Sequence, residues 1–147
     1  MRARLTSLFF VAALVAVPAA AGTSGAPTVI TPSQLKWVAN NHLGPGARMA
    51  VLAGDPSKAG FYTIRVMIPD GISFPPHFSD GTEYITVLQG AYLLGLGDDA
   101  NGRTMTLTPG TFAVMPAGVH HFARGRGVTI LQVTGMGPMK VTMVKVP

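Results

Sequence analysis

Gly71-Ile-Ser-Phe-Pro-Pro-His77-Phe-Ser79-Asp-Gly-Thr-Glu83-Tyr-Ile-Thr-Val-Leu-Gln-Gly90 carries one of the four histidines of the chain and two of its six carboxylates. A second stretch, Gly110-Thr-Phe-Ala-Val-Met-Pro116-Ala-Gly118-Val-His120-His121, carries two more histidines. Residues of like parity on a strand share a face, so Glu83, Ile85 and Val87 point one way and Tyr84, Thr86 and Leu88 the other. Glu83 therefore sits on an apolar face, where a carboxylate is costly unless it is paired or meets a cation. Two hairpins can join His77 to Glu83. A three-residue Ser79-Asp80-Gly81 loop with a left-handed Gly81 makes them cross-strand partners. A two-residue Asp80-Gly81 turn pairs Phe78 with Glu83 and turns His77 to the other face. The sequence permits both. In the second stretch Pro116-Ala117-Gly118 turns the chain, and the adjacent His120 and His121 must face opposite ways, so only one of them looks inward.

Outward from these two stretches the chain reads as short apolar segments separated by turns. They are residues 48–52, 61–68, 82–88, 91–96, 104–107, 111–115, 119–123, 128–133 and 141–146, with Gln89-Gly90 dividing the third from the fourth. Nine or ten strands of this length, joined by Gly, Pro and Asp turns, predict an all-β sandwich or small barrel. Apolar residues nowhere recur at helical spacing for three turns. Gly95-Leu-Gly97 imitates a dinucleotide fingerprint but has no helix after it, so residues 98–102 are expected to form a hairpin turn.

The spacing Gly-x5-His-x-Ser-x3-Glu-x6-Gly from Gly71 to Gly90, then Gly-x5-Pro-x-Gly-x2-His from Gly110 to His121, closely resembles the two signature motifs of the cupin superfamily. The likeness runs over roughly residues 61–133. It implies a double-stranded β-helix, the jelly-roll cupin barrel, with His77, Glu83 and His121 at metal-ligand positions. Ser79 stands where the family usually has a second histidine, and Gly125 where an Asn often follows the second motif. Two imidazoles and one carboxylate suit the three-ligand facial geometry of non-haem Fe(II), and Mn or Zn also accept that set. The resemblance implies a divalent metal and a small organic ligand or substrate in the barrel, with a metal-dependent oxygenase, isomerase or lyase among the activities. The alternative it leaves open is a non-catalytic binding or sensing module whose metal site has degenerated. Fold does not choose between them, and no base–nucleophile pair outside the ligand set names a reaction.

Composition narrows the rest. Of 147 residues 48% are hydrophobic and 12% charged, which excludes a disordered chain. The absence of cysteine excludes a disulfide scaffold, a thiolate zinc site, a cysteine nucleophile and a lipidated-cysteine anchor. Arg2 and Arg4, the apolar run from Leu8 to Val17, Pro18 and Ala19-Ala20-Ala21 read as a signal peptide over residues 1–21. That run is shorter than the ~20 residues that span a bilayer. The expected organisation is a signal peptide at 1–21, a lead-in at 22–47 and the barrel at 48–147, in an exported, periplasmic or extracellular protein without stable membrane insertion after cleavage. Without Arg2 and Arg4, nine basic residues face six acidic ones, a net charge of +3 with no basic run, so no nucleic-acid partner is expected. A homodimer is expected, with residues 48–52 and 141–146 as candidate edges. Tyr84 is expected on the outer face, and His42 and His120 at the surface. Met105, Met115, Met136, Met139 and Met143 are expected to fill the core.

Overall fold

Even-numbered side chains of the Gly60–Ile68 strand, namely Tyr62, Ile64, Val66 and Ile68, are all buried, while Phe61 opposite them is 62% exposed. This period-two alternation of β-branched and aromatic residues makes one sheet face a core and the other a surface. The computed structural model describes residues 26–145; the signal peptide expected at 1–21 lies outside the described residues. Within them run β1 (Val38–Ala39), β2 (Arg48–Ala53), β3 (Gly60–Ile68), β4 (Ser73–Ser79), β5 (Glu83–Leu96), β6 (Thr104–Leu107), β7 (Phe112–Met115), β8 (His121–Gly137) and β9 (Val141–Met143). Short 3-10 turns occupy Pro32–Gln34 and Asn41–Leu43.

Every pairing is antiparallel, and the strands form one sheet that curls into a jelly-roll barrel. Its spine is the pair β5–β8. The first half of β5 pairs with β7 and with the second half of β8, and its second half pairs with β6 and with the first half of β8. The outer edges of β8 take β3 at one end and β4 at the other, and β9 and β2–β1 extend the two sides. The core is the inward layer of these strands, including Ile85, Val87, Tyr92, Leu94, Leu131 and Val133.

Four expectations change. The segments 82–88 and 91–96 are one strand, as are 119–123 and 128–133, because Gln89-Gly90 and the Gly125–Gly127 region do not reverse the chain. The β5–β8 register instead shifts on both sides of Gln89, and Gly90 adopts φ +71°. This irregularity also changes the inward parity of β5 from odd (Ile85, Val87) to even (Tyr92, Leu94). Strand β4 was not among the expected segments because Pro75 and Pro76 interrupt its pattern; its register with β8 shifts between Phe74 and His77, where prolines are tolerated. Residues 48–52 are not a free edge along their whole length, since β1 pairs with Arg48 and Met49, whereas β9 pairs with β4 alone. Of the five methionines expected in the core, Met115 is buried there, Met139 packs against it, and Met105, Met136 and Met143 are exposed. The hairpin expected at 98–102 is present, joining Gly95 to its partner Thr104.

A Cβ at Gly90 would lie 2.6 Å from the Val128 carbonyl oxygen and 2.9 Å from the Thr129 Cα, so Gly90→Ala combines left-handed strain with a backbone clash. Gly110 is also left-handed, at φ +89°, but opens onto empty space. Urea denaturation should show Gly110→Ala losing about 1 kcal/mol, the cost of the backbone alone. Gly90→Ala should lose roughly 2–4 kcal/mol.

Candidate functional site

His77 and His121 are direct cross-strand partners on β4 and β8, and both side chains are buried, at 2% and 1% exposure. Their ring centroids lie 4.1 Å apart at an interplanar angle of 58°. Phe74 also stacks on His77, with centroids 3.7 Å apart. Each ring is held by the carbonyl two residues before it: His77 Nδ1 lies 2.7 Å from Pro75 O, and His121 Nδ1 lies 3.0 Å from Val119 O. A carbonyl only accepts, so both rings donate Nδ1–H, and this tautomer leaves each Nε2 with a bare lone pair. Among the described residues no side chain hydrogen-bonds either Nε2.

Glu83 opens β5 on the same face as Ile85 and Val87, as its parity predicts, and lines the same cavity as the two histidines. It is not a strand partner of His77. β4 pairs with β8 and β9, and Glu83 pairs with Met115 on β7, so neither of the two hairpins considered from sequence forms. The chain between them instead crosses from one side of the barrel to the other. Burial pushes the Glu83 carboxyl above its ordinary range, opposed by the nearby Ser79 hydroxyl and by His121. Ser79 is buried, and its Oγ has no well-formed hydrogen bond even though it lies close enough to Glu83 to favour the ionised form. Burial, reinforced by the neighbouring His121, pushes His77 down to about 4, so this imidazole is a neutral base at physiological pH.

The cavity holds about 330 Å³ and reaches beyond the two motifs. Asn40, His42 and Leu43 line it, contributed by the segment read from sequence as a lead-in. His42 is exposed, as expected, yet it stands at the cavity mouth. Tyr92 also lines the cavity; burial first, then the charge of Glu83, pushes its phenol well above the ordinary tyrosine range. Tyr62 feels the same two influences and is pushed up to about 12. No motif singled out Asn40, Tyr62 or Tyr92; the inward alternation of β3 was the only available signal for Tyr62. His120 faces outward, with Nδ1 2.5 Å from Asp98 Oδ1 and its ring stacked 4.9 Å from Phe78. Tyr84 is 44% exposed and stacks on Phe112.

The donor chemistry fits a divalent cation: two imidazoles with their Nδ1–H groups anchored on carbonyls, the arrangement in which a histidine presents Nε2 to a metal, and a carboxylate on the same cavity wall. Among the described residues, however, no three His, Asp or Glu side chains converge tightly enough to enclose one. The histidines form a ready two-nitrogen donor pair, and Glu83 lines the same cavity.

A curled β-sheet closed around an apolar chamber defines a jelly-roll barrel protein. The family model described as "Cupin domain" matches residues 64–136, and the chain belongs to the cupin superfamily. Among solved structures it is similar to the polyketide cyclase RemF from Streptomyces resistomycificus, at 21% identity and TM-score 0.69 over 83% of this chain and 88% of that one. It is also similar to KdgF from Halomonas sp., at 19% identity and TM-score 0.59 over 75% of this chain and 95% of that one. Salicylate 1,2-dioxygenase from Pseudoaminobacter salicylatoxidans, solved with gentisate, shares 18% identity at TM-score 0.57; the match covers 71% of this chain but 30% of that larger one. No curated protein matches the chain significantly in sequence.

The depressed His77 has a stability consequence. In chelator-treated protein the folded state keeps His77 neutral down to about 4, whereas the unfolded chain protonates near the ordinary 6.5. The unfolded state therefore binds the extra proton, and stability present above pH 6.5 is lost as pH falls toward 4. Glu83 acts in the opposite sense: raised in the fold, its contribution is full below its ordinary 4.5 and is lost as pH rises through its folded value. Melting curves between pH 6.5 and 4 should show a loss of up to about 3 kcal/mol in the wild type. His77→Gln, neutral at every pH, should flatten that slope.

Proposed function

We propose that this cupin binds a divalent metal, Fe, Mn or Zn, through His77, His121 and Glu83, together with a small organic ligand in the barrel. The observation that carries the reading is the pair of buried imidazoles whose Nε2 lone pairs are left bare by matched Nδ1 hydrogen bonds. Structural neighbours named as a cyclase and a dioxygenase support a small-molecule role, and the activity we propose is that of an oxygenase, isomerase or lyase. A cation held there supplies Lewis-acid polarisation of a ligand oxygen or activation of water. The residues of the chain itself do the rest: His77 and His121 present fixed lone pairs, Glu83 adds a carboxylate, and the apolar walls exclude water. One observation favours a second reading, a non-catalytic binder: Ser79 occupies the fourth ligand position of the family, and its hydroxyl is a poor donor to a divalent metal.

Titration of apo variants with Zn(II) or Mn(II) separates these readings. His121→Ala should weaken binding by more than roughly tenfold, since changes even around a ligand do so. His120→Ala should leave it near wild type, because that ring faces Asp98 outside the barrel. Ser79→His should tighten it by adding a nitrogen beside Glu83. Equal affinity in all four proteins would sink the metal site and leave the binder.

We also propose that the chain is exported, with residues 1–21 removed, and that it pairs with a second copy. Phe61 and Met136 are strand partners, exposed at 62% and 61%, and the exposed Tyr84–Phe112 stack lies on the same outer sheet face, giving a second copy an apolar surface to cover. The exported protein should begin near Gly22 by N-terminal sequencing and sediment as a dimer; an intact Met1, or a monomer at micromolar concentration, speaks against the corresponding proposal.

A further inference from the structure

We propose that the ligand of the barrel is a one-headed molecule, an uncharged hydrocarbon-rich body with its oxygen atoms gathered at one end, and not a polyol or sugar acid. This deepens the ligand-binding reading above and rests on it. Twelve of the eighteen residues lining the cavity are apolar, and none is Lys or Arg. Of the inner polar groups, His77 and His121 are in ring contact, and Glu83 and Tyr92 line the same cavity. The other polar lining residues belong to the N-terminal segment: Asn40, whose buried and unpaired Oδ1 is a single further acceptor, and His42, which is exposed.

Each hydroxyl buried without a partner costs roughly 1–3 kcal/mol. A sugar carries hydroxyls around its whole ring, so those facing Ile64, Val66, Ile85, Leu131 and Val133 would be stranded. A carboxylate placed against these walls would meet no cation and would be costlier still. A molecule with its oxygens at one end meets the imidazole–carboxylate cluster with that end and the aliphatic walls with the other. Size follows from the same cavity. A dry chamber of about 150 Å³ accepts a benzene, so about 330 Å³ accepts a body of roughly twelve to fifteen non-hydrogen atoms. A bicyclic phenol is of this class.

The test uses 2-naphthol, which is fluorescent, against galacturonate, with the whole protein both chelator-treated and zinc-loaded. Calorimetry or fluorescence should show 2-naphthol binding at least roughly a hundredfold more tightly than galacturonate, as expected where a site would strand the hydroxyls of the wrong ligand. Met139→Trp should reduce 2-naphthol affinity by roughly tenfold or more by filling the chamber while leaving zinc affinity unchanged, because Met139 is a partly buried lining residue outside the metal-ligand set. Met143→Trp, at an exposed lining position, should likewise reduce 2-naphthol affinity and covers the case in which Met139→Trp does not fold. Galacturonate binding as tightly as 2-naphthol overturns the inference. So does 2-naphthol affinity that both tryptophan variants leave intact, since the probe would then sit on the outer apolar face. Zinc binding without 2-naphthol binding overturns this inference and spares the metal reading; 2-naphthol binding without zinc binding supports this inference and overturns the metal reading.

Discussion

The register of β8 against β4 and β5 is the constraint on which the site depends. One strand, His121–Gly137, places His121 opposite His77 on one neighbour and opposite Leu96 on the other, and sixteen residues later is still pairing with β3. A slip of one residue would exchange the faces of the whole strand, turning His120 into the barrel and His121 out. Inward packing of Ala123, Thr129, Leu131 and Val133 opposes that slip along the full length. The accommodation is made on β5, where the left-handed Gly90 lets its two halves keep register with two parts of β8 while presenting different parities to the core.

That register brings two ionisable rings into contact in a dry place, and their chemistry follows. Protonating His77 would place a charge where burial denies it hydration and beside His121, so it remains a base far below its ordinary range. The carbonyls of Pro75 and Val119 then choose the tautomer, and both rings offer the same nitrogen. Glu83 is subject to the same desolvation in the opposite direction, its neutral form being favoured. The result is a pair of imidazoles and a carboxylate lining one cavity, which a cation or a polar ligand head would complete. The unsatisfied Ser79 hydroxyl marks the point at which this chain departs from its family.

The barrel fold leaves function open, and the lining of its chamber narrows it. A cavity with polar groups at one cluster and hydrocarbon elsewhere selects ligands by what they lack as much as by what they offer. The N-terminal segment contributes to that lining, since Asn40, His42 and Leu43 line the chamber before β2 begins.

Local sequence determined what each stretch presents to its surroundings. The alternation of β3, the inward Glu83, the outward Tyr84 and the opposed His120 and His121 all follow from period-two geometry, which needs no knowledge of neighbours. The spacing of the two motifs likewise made the barrel and the trio His77, Glu83 and His121 legible through resemblance. Tertiary structure decided which strand lies beside which. Gln89-Gly90 has the composition of a turn, yet pairing with β8 on both sides keeps β5 running through it; Pro75 and Pro76 have the composition of a break, yet β8 and β9 hold β4 between them. His77 faces His121 rather than Glu83, and Asn40 and Tyr92 join the chamber, because contacts between residues far apart in the chain are set by packing of the whole sheet. Local pattern carries the face of a residue but not the identity of the residue across from it.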